Sequence, residues 1–423
     1  MGIRLPATMR NGGAWLRRLA GTTPGAIGTI ALVSVVLCVL AGLTSADQLS
    51  GKITRRDAVL ERTEPLAYAA QTLYVALSAA DASAATALLS GGIESPEVRR
   101  QYQQALADAA SALADATTGA ADERTRTIVA QIVADLPAYT GVVETARANN
   151  RQGFPVGSSY LHEASLLMQN SLLPNAEKLN EDRLAAVRQD QHDIGALPWA
   201  TIVLLLLVLI SCGVGTFVLL GRMNRRMNLG LAAAAGATAL TLLWIVAATT
   251  VAATALDTGK SGATSRFETL AKARILAQQA RTDETLELIT RGDITTAETD
   301  FRKHTTELAD LLAAVTGSDS AASRGLLGWT AGHAKQREAY EAANYPAAVA
   351  QAIGNGADSS ATRFAQLDQT LRDNLGQQRG QLRDGVDSAG AALRLSPAGT
   401  LVLMLFAAAA VVAGLWLRLK EFL

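Results

Sequence analysis

Four long apolar runs constrain this chain more than any other feature of it. Residues 25–46, 197–220, 229–256 and 397–417 each hold about the 20 residues that a helix needs to cross roughly 30 Å of hydrocarbon. None contains an ionisable side chain. In lipid the backbone must satisfy its own polar groups, so runs of this length resolve as helices. The chain is therefore expected to be an all-α membrane protein with four transmembrane helices.

Charge sets the expected orientation, because Lys and Arg beside membrane helices are retained on the cytosolic side. Arg4, Arg10, Arg17, Arg18, Arg222, Arg225, Arg226, Arg418 and Lys420 lie in the short pieces, against Glu421 alone, a net charge of +8. The two long intervening segments carry net −8, so the overall charge of zero conceals two opposite halves. The expected layout is a cytosolic basic tail (1–24), a first span (25–46), an extracytoplasmic segment (47–196) and a second span (197–220). A cytosolic basic turn (221–228), a third span (229–256), a second extracytoplasmic segment (257–396), a fourth span (397–417) and a cytosolic C-terminus (418–423) complete it. This is a multi-pass protein of the cell membrane with both termini inside. Thr44-Ser45-Ala46 resembles the small residues before a signal-peptidase site, but the apolar run exceeds the roughly 7 to 15 residues of a signal peptide. An uncleaved anchor fits better.

Between the first two spans, strong helix formers are punctuated at three places. Ser90-Gly91-Gly92 ends a first helix, and Ser95 with Pro96 starts a second. Thr118-Gly119 ends the second helix. Gly153 to Gly157 ends the third, with Ser158 or Ser159 available to cap the fourth. Four helices in up-down order make a bundle, and the first and fourth are long enough to form a two-helix stalk. Gly195 and Pro198 mark a swivel before the second span. The later segment repeats the plan: Glu64-Pro65-Leu66-Ala67 matches Glu268-Thr269-Leu270-Ala271, Gly92 matches Gly292, Thr118-Gly119 matches Thr316-Gly317, and Gly153 with Gly157 matches Gly354 with Gly356. An offset near 200 residues predicts two tandem four-helix-bundle domains from an internal duplication.

No catalytic constellation emerges, and neither an enzyme nor a cofactor is expected. His162, His192, His304 and His333 have no ligand spacing and are expected on solvated helix faces, and no metal site is read. Cys38 and Cys212 both lie in spans, which leaves the outer segments without disulfides. The spans carry no charge for a transport path. Gly213, Gly215, Gly236 and the 232–235 alanine run are expected to pack the membrane helices together. What remains is a pair of outer bundles with short cytosolic pieces, so a signal has to pass to a separate protein. Asn149, Asn150, Arg151 and Gln152 cluster polar side chains on the turn expected farthest from the membrane and form the candidate partner surface. A plain helix C-cap, needing only Gly153, is the alternative. Inside, Arg17 and Arg18 of the basic amphipathic stretch 15–19, with Arg222, Arg225 and Arg226, are the candidate docking residues, with lipid headgroups as the competing contact.

Glu64-Pro65-Leu66-Ala67-Tyr68-Ala69-Ala70, Leu88-Leu89-Ser90-Gly91-Gly92, Asn149 through Gly157 and Leu172-Leu173-Pro174 resemble the actinobacterial GlnX-type membrane proteins over essentially the whole chain. The excess of Arg over Lys and the abundance of Ala agree with such a source. The resemblance implies a sensor that passes amino-acid availability from an amino-acid-binding lipoprotein outside to a soluble Ser/Thr protein kinase inside. It carries no ligand residues with it. Nothing points to nucleic acid, and the oligomeric state, a homo-oligomer included, stays open. A structural envelope tether without a ligand is the alternative function.

Overall fold

The computed structural model describes residues 23–91, 94–118, 122–223, 228–256, 259, 262–290 and 294–419. The elements are α1 (Thr23–Ala58), α2 (Glu64–Leu89), α3 (Pro96–Thr118), α4 (Glu123–Arg151), α5 (Val156–Leu167), α6 (Leu173–Gly195), α7 (Trp199–Met223) and α8 (Leu229–Leu256). They continue as α9 (Ala263–Thr290), α10 (Thr295–Val315), α11 (Ala321–Glu341), α12 (Tyr345–Ile353), α13 (Ser360–Leu393) and α14 (Ser396–Leu419). Among the described residues there is no strand. The protein is all-α, and four of its helical stretches are long and apolar enough to cross a membrane.

The chain divides into two compact units, Met1–Asp57 with His192–Leu256 and Val386–Leu423, and Ala58–Gln191 with Asp257–Gly385. The first holds the apolar runs. Its seams are small and polar: Ser34 Oγ lies 2.7 Å from Ser211 Oγ, Ser45 Oγ donates to Thr400 Oγ1 at 3.0 Å, and Thr201 Oγ1 donates to Gln48 Oε1 at 2.8 Å. Leu32, Phe217, Leu243 and Val402 stay exposed, as lipid-facing side chains should. Of the small residues expected at the seams, a Cβ on Gly215 would meet Ile30 and Leu231, whereas Gly213 and Gly236 have nothing within 4 Å. The closest approach instead joins α8 to α14, where a Cβ on Gly230 would overlap the Ala410 carbonyl and the Gly414 backbone. The stripe that matters is set by helix rotation, which an alanine-rich run does not reveal. At the break between α6 and α7, Lys52 Nζ donates to the Ile194 carbonyl at 2.7 Å and also to that of Ala196, so the expected swivel at Gly195 and Pro198 is clasped by a lysine.

In the second unit α2 and α9 lie against each other. Five consecutive buried residues of α2, Leu73, Tyr74, Val75, Ala76 and Leu77, fit a helix buried all round. Ile275 of α9 joins the core built from α2 to α6, where Ile132, Tyr139, Leu161, Met168 and Leu172 interlock. Two π-helical turns, Val59–Thr63 and Met168–Leu172, interrupt the long helices. Each ends two residues before a proline, Pro65 or Pro174. A proline ring inside a helix lacks a donor and clashes with the carbonyl four residues back, and a widened turn relieves both. Arg383 Nη1 donates to the Leu60 carbonyl at 3.2 Å, satisfying one acceptor of the first widened turn.

Several expected boundaries hold. Ser95 Oγ accepts from Val98 N at 3.3 Å, with Pro96 opening α3. The Ser158 or Ser159 cap does not form. Helix α5 already begins at Val156, Pro155 stands at its cap, and Ser158 Oγ donates back to the Pro155 carbonyl at 2.8 Å. The pairing of Gly153 and Gly157 with Gly354 and Gly356 also fails. Helix α11 ends at Glu341, and its left-handed residue is Ala343 (φ 58°), the counterpart of Gly153 (φ 73°) at the end of α4. Phe154 N bonds the Asn149 carbonyl at 3.0 Å, and Asn344 N bonds that of Ala339 at 2.9 Å, so both turns close across the same five-residue span. Asn344 and Pro346 start a helix of their own, which ends at Gly354 with an extended backbone. Gly92, Gly119 and Gly292 lie outside the described residues.

Each half buries carboxylates of its first helix, and two of them, Asp81 and Glu284, sit in similar surroundings. Asp81 accepts from Tyr139 Oη at 3.2 Å and from Ser165 Oγ at 2.9 Å. Glu284 accepts from Trp329 Nε1 at 3.0 Å and from the Ser360 hydroxyl. In both cases an aromatic group from the third helix and a serine from a later one, Ser165 of α5 or Ser360 of α13, converge on the acid. Glu284 is also paired with Arg281, and that guanidinium, with bonds from His333 and Ser360, holds its carboxyl down at about 2 against the penalty of burial. Among the described residues no cation pairs with Asp81, and burial pushes its carboxyl up to about 6.

Candidate functional site

The end of the first half where α2 leads to α3 and α4 to α5 gathers charge. Helix α4 stops because Gly153 takes a left-handed backbone, and Gln152 N and Phe154 N both bond the Asn149 carbonyl, at 3.1 and 3.0 Å. One stripe of α4 presents Glu144, Arg147 and Arg151 at helical spacing. Arg147 Nη1 donates to Glu144 Oε1 at 2.8 Å and its Nε lies 3.3 Å from Glu94 Oε2. Arg99 bridges the same acids, 3.1 Å from Glu94 Oε1 and 3.5 Å from Glu144 Oε2. Two guanidinium groups and two carboxylates thus alternate.

Arg147 is 8% exposed, and such a cation is retained only where partners offset its lost hydration. The two acids and the face of Tyr102, 4.0 Å from the guanidinium carbon, do so. Burial pushes the Tyr102 phenol up to about 12, so it stays neutral. Among the described residues, Tyr102 Oη and Arg147 Nη2 have no hydrogen-bond partner. A cavity of about 30 Å³ opens beside them, lined by Leu88, Glu94, Arg99, Arg147, Asn150 and Arg151. That is room for about two waters. It lies well below the roughly 300 Å³ at which small-molecule pockets begin, so in this form the site suits a charged protein surface better than a free metabolite.

Of the four residues expected on this turn, Asn150 and Arg151 line the cavity. Asn149 turns back, its Nδ2 donating to the Thr145 carbonyl at 2.9 Å, and Gln152 is exposed, binding the turn only through its backbone. Phe154 and Val156 stand exposed beside them. Glu94, Arg99, Tyr102, Glu144 and Arg147 were not anticipated, although the spacing of Glu144, Arg147 and Arg151 carries the stripe. On the other face, Arg17, Arg18, Arg225 and Arg226 lie outside the described residues, and so does the side chain of Arg222 at the end of α7.

The histidines divide. His162 and His192 are exposed as expected, and His304 is half-buried against Asp283 at 2.8 Å. His333 is not on a solvated face. It is 4% exposed, stacks on Phe301 with ring centres 3.8 Å apart, and meets Glu298 at 3.0 Å and Glu284 at 3.3 Å. Its neighbours come from helices far away in sequence, which is why local pattern missed it.

Residues 55–192 match the family model of the actinobacterial sensor domain. The match covers about a third of the chain and contains α2 to α5, hence the whole charged end just described. No curated protein and no solved structure matches the chain. The match supports a sensor role in a multi-pass membrane protein, and a sensor domain fits a non-enzymatic role.

Proposed function

We propose that this protein is a non-enzymatic transmembrane relay. Its first outer bundle receives an amino-acid-binding lipoprotein, and its cytosolic face engages a soluble Ser/Thr protein kinase. The observation that carries the reading is the coincidence of the sensor-domain match with the charged end at Glu94, Arg99, Arg147, Asn150 and Arg151. An end with fixed, alternating charge and exposed Phe154 and Val156 is chemically suited to a protein partner. Docking passes a signal only if it binds one arrangement of the helices more tightly than another.

The test is a Gly-Ser-Gly-Ser insertion after Gln191, ahead of the break at Gly195 to Pro198. Outside binding should persist while ligand-dependent kinase phosphorylation is lost. Phosphorylation that still follows the ligand would argue against transmission through this segment. Absence of any ligand-dependent phosphorylation in the unmodified protein would favour the tether.

A further inference from the structure

We propose that the cavity at the charged end of the first half takes the carboxylate of an acidic side chain on the protein partner, held between Arg147 and Arg151. The inference rests on reading this end as a partner surface, and it names what the partner presents. The network sets Arg99, Arg147 and Arg151 against Glu94 and Glu144, one positive charge in excess. Arg99 touches both acids and so does Arg147. The excess therefore falls on Arg151, which lines the cavity and forms no ion pair among the described residues.

The other half of the chain holds the same arrangement with its carboxylate built in. Counted back from the left-handed residues Gly153 and Ala343, Arg337 stands where Arg147 stands, and Glu341 where Arg151 stands. Arg337 uses both arms of its guanidinium: Nη1 donates to Glu298 Oε1 at 2.8 Å and Nη2 to Glu341 Oε1 at 2.5 Å. Arg147 Nη1 donates to Glu144 Oε1 at 2.8 Å, but its Nη2 has no hydrogen-bond partner among the described residues. The acid that answers the second arm in one half is thus replaced by a cation in the other. A buried arm without an acceptor costs free energy, and a second arginine beside it strengthens the demand for an anion.

Size and lining select the class of anion. The cavity of about 30 Å³ holds about two waters, which the two oxygens of one carboxylate can replace. Guanidinium groups bind such a pair of oxygens side by side. Ala84, Ala87, Leu88, Val143 and Leu161 give the cavity an apolar wall for the methylenes of an acidic side chain. A phosphoryl group, with about −2 charge and three outer oxygens, exceeds both the room and the single surplus charge.

The experiment is saturation-transfer NMR at pH 7 on the full chain in lipid nanodiscs, with N-acetyl-glutamate amide as the probe, whose one carboxylate is that of the side chain. N-acetyl-glutamine amide is the neutral control. The glutamate probe should give at least threefold more signal than the control. Arg151→Glu, which installs the acid that the other half carries, should abolish that difference, with circular dichroism confirming the helical fold. Arg100→Gln, which removes an exposed cation of α3 outside the cavity lining, should leave it intact. Equal signals from the two probes on the unmodified protein, or a difference that survives in Arg151→Glu, would overturn the site. Propionate binding more tightly than the capped residue would assign the cavity to a free acid and overturn the docking role. Lipoprotein capture without glutamate-probe binding would sink this inference and leave the relay standing. Probe binding without lipoprotein capture would sink the outside partner of the relay and leave the acidic-side-chain site.

Discussion

Glu64, at the start of α2, receives Arg379 Nε of α13 at 2.5 Å, although 315 residues separate them. Arg383 Nη1 reaches the other oxygen at 2.5 Å. The relation is mirrored more weakly where Arg188 of α6 meets Glu268 of α9 at 3.1 Å. The first helix of each half is therefore tied to the last helix of the other. Glu64 is 1% exposed, whereas the Arg188 side chain is 59% exposed. Glu64→Gln should cost about 1–3 kcal/mol, because it weakens two bonds at a buried acceptor, and Arg188→Ala less than about 1 kcal/mol. Denaturant midpoints of the second unit check this, and equal losses would refute the asymmetry.

Asp81 predicts a pH dependence. Burial raises its carboxyl from the ordinary 3.8 to about 6 despite bonds from Ser165 and Tyr139. The folded chain thus holds that proton more tightly than the unfolded one. Its contribution is full below pH about 4 and is lost as the pH rises through about 6. Asp81→Asn keeps a neutral group there, so its stability advantage over the unmodified protein should grow by about 2 kcal/mol between pH 4 and pH 7. An advantage that does not change over this window would show that Asp81 ionises normally.

Arg147 and Arg151 should separate structure from recognition. Arg147 is buried among Glu94, Glu144 and Tyr102, and Arg147→Ala should destabilise by about 3–5 kcal/mol, as removal of one member of a buried charge network does. Exposed Arg151 should cost less than about 0.5 kcal/mol on change to Ala, while capture of the lipoprotein partner we propose weakens. Undiminished capture by Arg151→Ala would remove it from the partner surface.

Ala343 occupies the left-handed position that Gly153 fills in the other half. A Cβ there costs about 1–2 kcal/mol, part of which glycine returns through the freedom of the unfolded chain. Ala343→Gly is expected to stabilise by about 0.5–1 kcal/mol and Gly153→Ala to destabilise by a similar amount. Thermal melts of the two variants shifting the same way would contradict this.

Orientation is open to labelling. With net +8 on the short pieces and −8 on the long ones, cysteines placed at Ser95 and Ser318 should react with an impermeant maleimide in intact cells, and one at Asn224 should not. Labelling of Asn224 alone would invert the topology.

What the sequence determined by itself is local. Apolar runs long enough to span lipid mark α7, α8, α14 and the first part of α1, because the bilayer demands a minimum length whatever the rest of the chain does. Ser95 with Pro96 and the turn at Gly153 were legible for the same reason, since capping and left-handed geometry depend on a few adjacent residues. Asn150 and Arg151 followed from that turn. The tertiary structure alone decided which side chains meet. Arg147 against Glu94, His333 among Glu284 and Glu298, Glu64 under Arg379 and Gly230 on Gly414 all join separate helices. Alanine-rich helices have small side chains on nearly every face, so their periodicity does not fix the rotation that turns one residue inward. That rotation is settled only when whole helices pack.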